Sequence, residues 1–150
     1  MDTKFIKEFR QVLRLFEREL NLQNSFSCCN GVTVAQCHTL LEIESNGMVT
    51  VTELAENLSL DKSTVSRTVD GLVNIGLLKR EIPAKNRRKA EVSLTENGKK
   101  MCSTINCTNN EFFEASFDGF SAQEKQDFIR LFSKFTVNMR DRREESVSCC

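Results

Sequence analysis

The 150-residue chain has no tryptophan, no tyrosine, one histidine and one proline. There is no tyrosine or tryptophan ring to pack on an aromatic compound and hydrogen-bond to it at once. That argues against a pocket for phenolic ligands. A single histidine, with no C-x-x-C and no G-x-S-x-G, leaves few ways to pair a nucleophile with a base. An enzyme, such as a thiol oxidoreductase, is therefore disfavoured. No apolar run approaches a membrane span. The opening M-D-T-K-F-I-K-E-F-R is too charged for the apolar core of a signal peptide, so a cytoplasmic protein is expected. Overall basicity is absent too, since 21 Lys and Arg balance 21 Asp and Glu. The length suits one domain around one modest core, and there are no internal repeats.

What the chain does have is concentrated between Thr50 and Thr95. Thr50 and Glu53 have the spacing of a capping box. Leu54, Ala55 and Leu58 then share one face of a short helix. Ser59 and Leu60 make a turn, and Asp61 is placed to cap a second helix. There Val65, Val69, Leu72 and Ile75 recur at helical spacing and are expected in the core. Ser63, Arg67, Asp70 and Asn74 lie opposite, flanked by Thr64 and Ser66, and Gly76 is placed to end the helix. A polar, donor-rich helix N-terminus suits the major groove of DNA. An ordinary amphipathic helical hairpin would satisfy the same pattern.

The following segment separates the two. Leu77 to Ile82 and Lys89 to Leu94 read as strands, with Ala90, Val92 and Leu94 alternating with Glu91 and Ser93. Between them Pro83 to Arg88 forms a loop carrying Lys85, Arg87 and Arg88. From Lys62 to Lys100 there are ten Lys and Arg against four Asp and Glu. A basic run is usually a solvated face. At the tip of a hairpin beside a helix-turn-helix, it favours a minor-groove or phosphate contact. The candidate DNA-binding residues are Thr52, Lys62, Ser63, Thr64, Ser66, Arg67, Lys85, Arg87 and Arg88.

These residues resemble the MarR family of winged-helix transcriptional regulators. The resemblance is carried by T-E-L-A-E-N-L, D-K-S-T-V-S-R-T-V-D-G-L, I-G-L-L-K-R, N-R-R and L-T-E-N-G-K-K. It implies a mainly α fold with a small β wing, a winged helix-turn-helix flanked by dimerisation helices. It also implies a homodimer that binds a pseudopalindromic double-stranded DNA operator and usually represses. The family commonly has Asp-Arg-Arg at the wing tip. This chain has Asn86-Arg87-Arg88, and Asn86 can hydrogen-bond but cannot form an ion pair. The expected organisation is one domain over residues 1–150. Residues of about 1–30 and 104–142 would serve dimerisation, about 33–103 the DNA-binding lobe, and 143–150 a flexible tail.

The flanking segments are helical by pattern. Phe5, Phe9, Val12, Phe16 and Leu20 stripe a helix from about Thr3 to Leu22. Thr33 and Gln36 form a second capping box, Leu40, Leu41 and Ile43 supply core, and Met48-Val49 is a short strand able to pair with the wing. Thr95 caps a long helix bearing Met101, Ile105, Phe112 and Phe113. Ser121, with Glu124, caps a last helix striped by Phe128, Phe132, Phe135 and Met139.

Seven cysteines are many for this length, and in the cytoplasm they are expected to be reduced. Cys28 and Cys29 precede the Thr33 cap, and Cys37 falls in the first turn after it. Helix-terminal N–H groups favour a thiolate there. Packing on Val32 as a small apolar residue is an equally good account of Cys37. Cys28, Cys29 and Cys37 form the candidate sensor site, with Cys107 as a further candidate. His38 points about 100° away from Cys37 and is taken as structural. Cys102 lies about 140° around the helix from Cys107 and is taken as core. Cys149 and Cys150 fall in the tail.

The expected function is a DNA-binding repressor controlled by cysteine chemistry. Three thiolates suit As(III) or Sb(III). Oxidation between Cys37 and Cys28 or Cys29 comes second, and zinc, which wants a fourth ligand, third. No cofactor is required. The alternative is release by a small organic ligand bound between the dimerisation and DNA-binding helices. A winged helix that binds protein is disfavoured by the basic wing.

Overall fold

The computed structural model describes residues 2–27, 31–85 and 89–147. In chain order the elements are α1 (Thr3–Ser27), α2 (Val34–Asn46), β1 (Val49–Thr50), α3 (Val51–Leu58), α4 (Lys62–Asn74), β2 (Leu78–Glu81), β3 (Glu91–Leu94), α5 (Glu96–Ser116) and α6 (Ala122–Val147). Two compact units divide the chain, Met1–Thr108 and Asn109–Cys150.

Local chemistry starts the helices where the sequence places them. Three starts are reciprocal capping boxes: Thr33 with Gln36, Thr50 with Glu53, and Ser121 with Glu124. Asp61 caps α4 by accepting the Thr64 amide at 2.9 Å. Ser59 ends α3 in the left-handed region at φ 54°, and Gly76 (φ 77°) follows the last turn of α4.

The core of the first unit gathers one face from each element. Leu40 and Ile43 of α2, Leu54 of α3, Val65, Val69 and Leu72 of α4, Leu78 of β2 and Val92 of β3 are all buried. Cys102 and Ile105 of α5 complete the cluster. The three strands form an antiparallel sheet in the order β1-β3-β2. Leu78 faces Leu94 and Arg80 faces Val92 across one edge, while Val49 faces Val92 and Thr50 faces Glu91 across the other. The Gly98 backbone lies against that of Leu77, where an added Cβ would sit 2.1 Å from the Leu77 carbonyl oxygen. Only glycine lets α5 approach β2 so closely.

In the second unit, Phe117 meets Phe120 and Phe128 edge-on, each at 5.4 Å between ring centroids. Phe128 stacks on Phe132 at 5.5 Å.

Four expectations change. Ile75 is not core; it is the C-cap residue of α4, 54% exposed, because the helix ends before its side chain can turn inward. The two wing strands are shorter than expected. The first helix runs on to Ser27 rather than stopping near Leu22. Helix α6 continues to Val147, well into the segment expected as tail.

Candidate nucleic-acid interface

Helix α4 presents two different faces. Val65, Val69 and Leu72 are buried at 0%, whereas Lys62, Ser63, Arg67 and Asp70 are exposed and Thr64 and Ser66 half-buried. Spacing alone produces this division, since residues three and four apart share a helix face.

The N-terminal end of α4 is tied together by Asp61. Its carboxylate accepts from the Ser63 hydroxyl, from the Thr64 amide at 2.9 Å and from the Thr64 hydroxyl at 2.6 Å. These bonds, the Ser63 hydroxyl foremost, hold the Asp61 carboxyl well below the usual carboxylate range. An ionised carboxylate only accepts, so both hydroxyl protons point inward. Ser63 and Thr64 therefore offer lone pairs, not protons, to whatever lies outside.

Further along α4, the Arg80 guanidinium reaches over from β2. Its Nη2 lies 2.9 Å from Asp70 Oδ1 and 3.4 Å from Ser66 Oγ. Sequence reasoning did not single out Arg80, which the structure places on this part of α4. Ser66 and Asp70, four apart, marked the helix side of this contact. The strand side depends on which way β2 turns its residues, and the sequence offered no cue to that.

The remaining candidates are arranged around this helix. Thr52 is exposed in the first turn of α3, and Lys85 is exposed just before the wing tip. Lys89 is exposed where β3 approaches, and its charge acts on Glu53, whose carboxyl is lowered chiefly by the Thr50 backbone amide. Lys79 pairs with Glu81 along β2 at 2.8 Å. Arg87 and Arg88, with Asn86, lie outside the described residues.

Three of the cysteines, Cys37, Cys102 and Cys107, lie among the described residues. Cys37 is 6% exposed, in the same buried cluster as Val32, which is where packing on Val32 would put it. Its backbone amide donates to the Thr33 carbonyl at 2.8 Å. Cys102 is fully buried, its Sγ 3.7 Å from the Leu40 carbonyl oxygen, and burial pushes its thiol up to about 11. It is a core residue, as expected. Cys107 and His38 are exposed. Cys28, Cys29, Cys149 and Cys150 lie outside the described residues. Among the described residues, no three His, Cys, Asp or Glu gather as a metal site. Among them, too, no helix is long and apolar enough to cross a membrane.

Comparison with known proteins places this geometry. Residues 32–90 match the model of the MarR family. A MarR family protein from Bacillus stearothermophilus superposes with a TM-score of 0.81 at 23% identity, over 93% of this chain and 99% of that one. A mutant MarR from E. coli complexed with operator DNA gives 0.71 at 23% identity, over 88% and 95%. BpsR of Bordetella bronchiseptica, whose DNA binding is regulated by 6-hydroxynicotinic acid, gives 0.68 at 21% identity, over 84% and 98%. The chain thus carries a MarR family winged helix at residues 32–90, on a fold that it shares with MarR proteins over most of its length.

Proposed function

We propose that this chain is a DNA-binding transcriptional repressor that acts as a homodimer on a pseudopalindromic double-stranded DNA operator. One observation carries the reading. The outward face of α4 is polar and cationic at its N-terminal half, and the basic hairpin follows directly from its C-terminal end. A helix for the major groove beside a basic wing for the adjacent backbone is a duplex-binding arrangement. The E. coli relative with operator DNA supports the same reading. The homodimer is supported by apolar side chains left on the surface of both units. Phe5 and Val12 on α1 are 61% and 65% exposed, and Ile129 and Leu131 on α6 are 63% and 55% exposed. Large apolar surface of this kind marks interaction faces. The deciding experiment measures Arg67→Ala against a duplex selected by the wild-type chain from a randomised pool. A loss of about 1–3 kcal/mol, with relaxed base preference, is expected for a bidentate base contact. Unchanged affinity and preference in Arg67→Ala and Arg88→Ala would overturn the reading.

Operator release is assigned to thiol chemistry. Cys28, Cys29 and Cys37, with Cys107 as a further candidate, would take As(III) or Sb(III). Oxidation is the second thiol chemistry and zinc the third. The burial of Cys37 supports a mechanical link. A new bond to a sulfur packed in the core has to displace the first turn of α2, and α2 packs on both α3 and α4. A tenfold loss of operator affinity takes about 1.4 kcal/mol, well within reach of metal–thiolate bonds. An effector acts only through its different affinity for the two conformations. A second reading, release by an organic ligand, is favoured by BpsR and its response to 6-hydroxynicotinic acid. The Cys28→Ser/Cys37→Ser variant separates them. Under the thiol reading it binds DNA but ignores arsenite, antimonite, zinc and peroxide. If it still responds to all that release the wild type, and an aromatic acid also releases DNA, the organic ligand replaces the thiol.

A further inference from the structure

The Arg80 contact crosses from β2 to α4, which follow one another through the tight turn at Gly76 and also share the buried core. Ser66 and Asp70 stand one helical turn apart, so the guanidinium lies along the groove-facing side of α4 rather than at its end. Arg67, the strongest candidate for reading bases, leaves the helix between them in sequence. At its other end Arg80 is fixed by the sheet. It faces Val92, which is fully buried, and two residues earlier Leu78 enters the core. Asp70 is the one carboxylate on α4. Left alone, it would place an uncompensated negative charge against a phosphate backbone.

We infer that Arg80 is a positioning residue, which braces α4 against the root of the wing so that helix and wing meet one duplex together, and which cancels the charge of Asp70 on that face. The inference rests on the DNA-binding reading above. It also reassigns Ser66. The Ser66 hydroxyl accepts from Arg80 and so belongs to the brace, leaving Ser63, Thr64 and Arg67 to face the bases. Two other roles compete. A half-exposed ion pair is often energetically neutral. Alternatively, Arg80 could leave Asp70 and bind a phosphate itself.

The sign of one substitution separates these roles. Arg80→Met, Asp70→Ala, the double variant and Arg80→Lys are compared with wild type on the duplex that the wild-type chain selects from a randomised pool. Circular dichroism confirms that each is folded. A brace predicts that Asp70→Ala binds several-fold more weakly although it removes a negative charge. It predicts that Arg80→Met loses about as much, that the double variant loses no more than the worse single, and that Arg80→Lys recovers only part. The dependence of affinity on salt stays unchanged, because no phosphate contact is removed. Amide exchange at Leu78–Glu81 is faster in Arg80→Met without DNA, a readout independent of any duplex. If Asp70→Ala binds more tightly and Arg80→Met lowers the salt slope by about one, Arg80 is a phosphate contact and the brace is overturned. Wild-type affinity and exchange rates in all variants would overturn it as well. If the wild-type chain selects no duplex, the DNA-binding reading fails first. Faster exchange in Arg80→Met would then assign Arg80 to the fold alone, and the positioning role would fall.

Discussion

The Thr95 hydroxyl donates to the Gly76 carbonyl oxygen at 2.6 Å and accepts the Gly98 amide at 3.0 Å. One side chain thus caps α5 and ties it to the residue that ends α4. The Thr95 amide adds a bond to the Leu77 carbonyl at 3.1 Å. Two of these three hydrogen bonds tie the start of α5 to the turn that follows α4, and the third caps α5 itself.

Thr95→Val removes the hydroxyl but keeps the shape. It is expected to destabilise the chain by about 1–2 kcal/mol, the usual cost of a lost cap, while Thr95→Ser remains near wild type. Gly98→Ala is expected to cost more, roughly 2 kcal/mol or above, because its methyl meets backbone that cannot rotate away. Denaturant unfolding of the three variants checks the order. A Gly98→Ala chain as stable as wild type would contradict the close packing.

The inward-pointing protons at Asp61 carry a prediction for base choice. Ser63 and Thr64 can only accept from the duplex, and the exposed donors in the major groove are the amino groups of adenine and cytosine. Replacing the facing adenine by purine, which lacks the amino group, is expected to lower affinity several-fold. The loss should vanish in a Ser63→Ala/Thr64→Ala chain. Anisotropy titrations with the substituted duplexes measure both.

The pH dependence follows from the same residue. Hydrogen bonds depress the folded-state value of Asp61 below its ordinary 3.8, and those of Glu53 and Glu124 below 4.5. A depressed carboxylate contributes stability above its unfolded value and loses it as pH falls through the folded one. Stability from these caps is therefore expected to hold from neutral pH down to the ordinary carboxylate range and to decline below it. Asp61→Asn keeps a good cap without the titration, so its acid limb is expected to be flatter. Thermal unfolding between neutral and strongly acidic pH checks this.

Assembly can be tested directly. Sedimentation at micromolar concentration is expected to show a dimer, and Phe5→Asp with Val12→Asp to shift it toward monomer. In a two-fold dimer the recognition helices would stand one DNA turn apart, ~34–36 Å, or a multiple of it. A stable monomer that binds a selected duplex tightly would contradict the homodimer.

What was legible in the sequence was short-range. Each capping box couples a residue to one three positions later, so T-x-x-Q, T-x-x-E and S-x-x-E could be read without a fold. The burial of Val65, Val69 and Leu72 likewise follows from period alone. Ile75 obeyed the same period and failed, because periodicity does not say where a helix stops. Cys37 had two equally good accounts, and only the placement of Val32 against the same core fixes its surroundings. The Arg80 brace was least legible. Its partners lie 10 and 14 positions away, and their meeting depends on how β2 twists against α4. The outer candidates on the wing, Arg87 and Arg88, still rest on sequence.

Thr50 has a consequence beyond its own bonds. It pairs with Glu91 as the last residue of β1, and it is also the N-cap of α3. Opening β1 from β3 therefore frees the backbone of the residue that caps α3. Fraying of the sheet edge and of the first helix of the helix-turn-helix is expected to be coupled through this one residue. A ligand that held only the base of the wing would slow the unravelling of α3 without touching it.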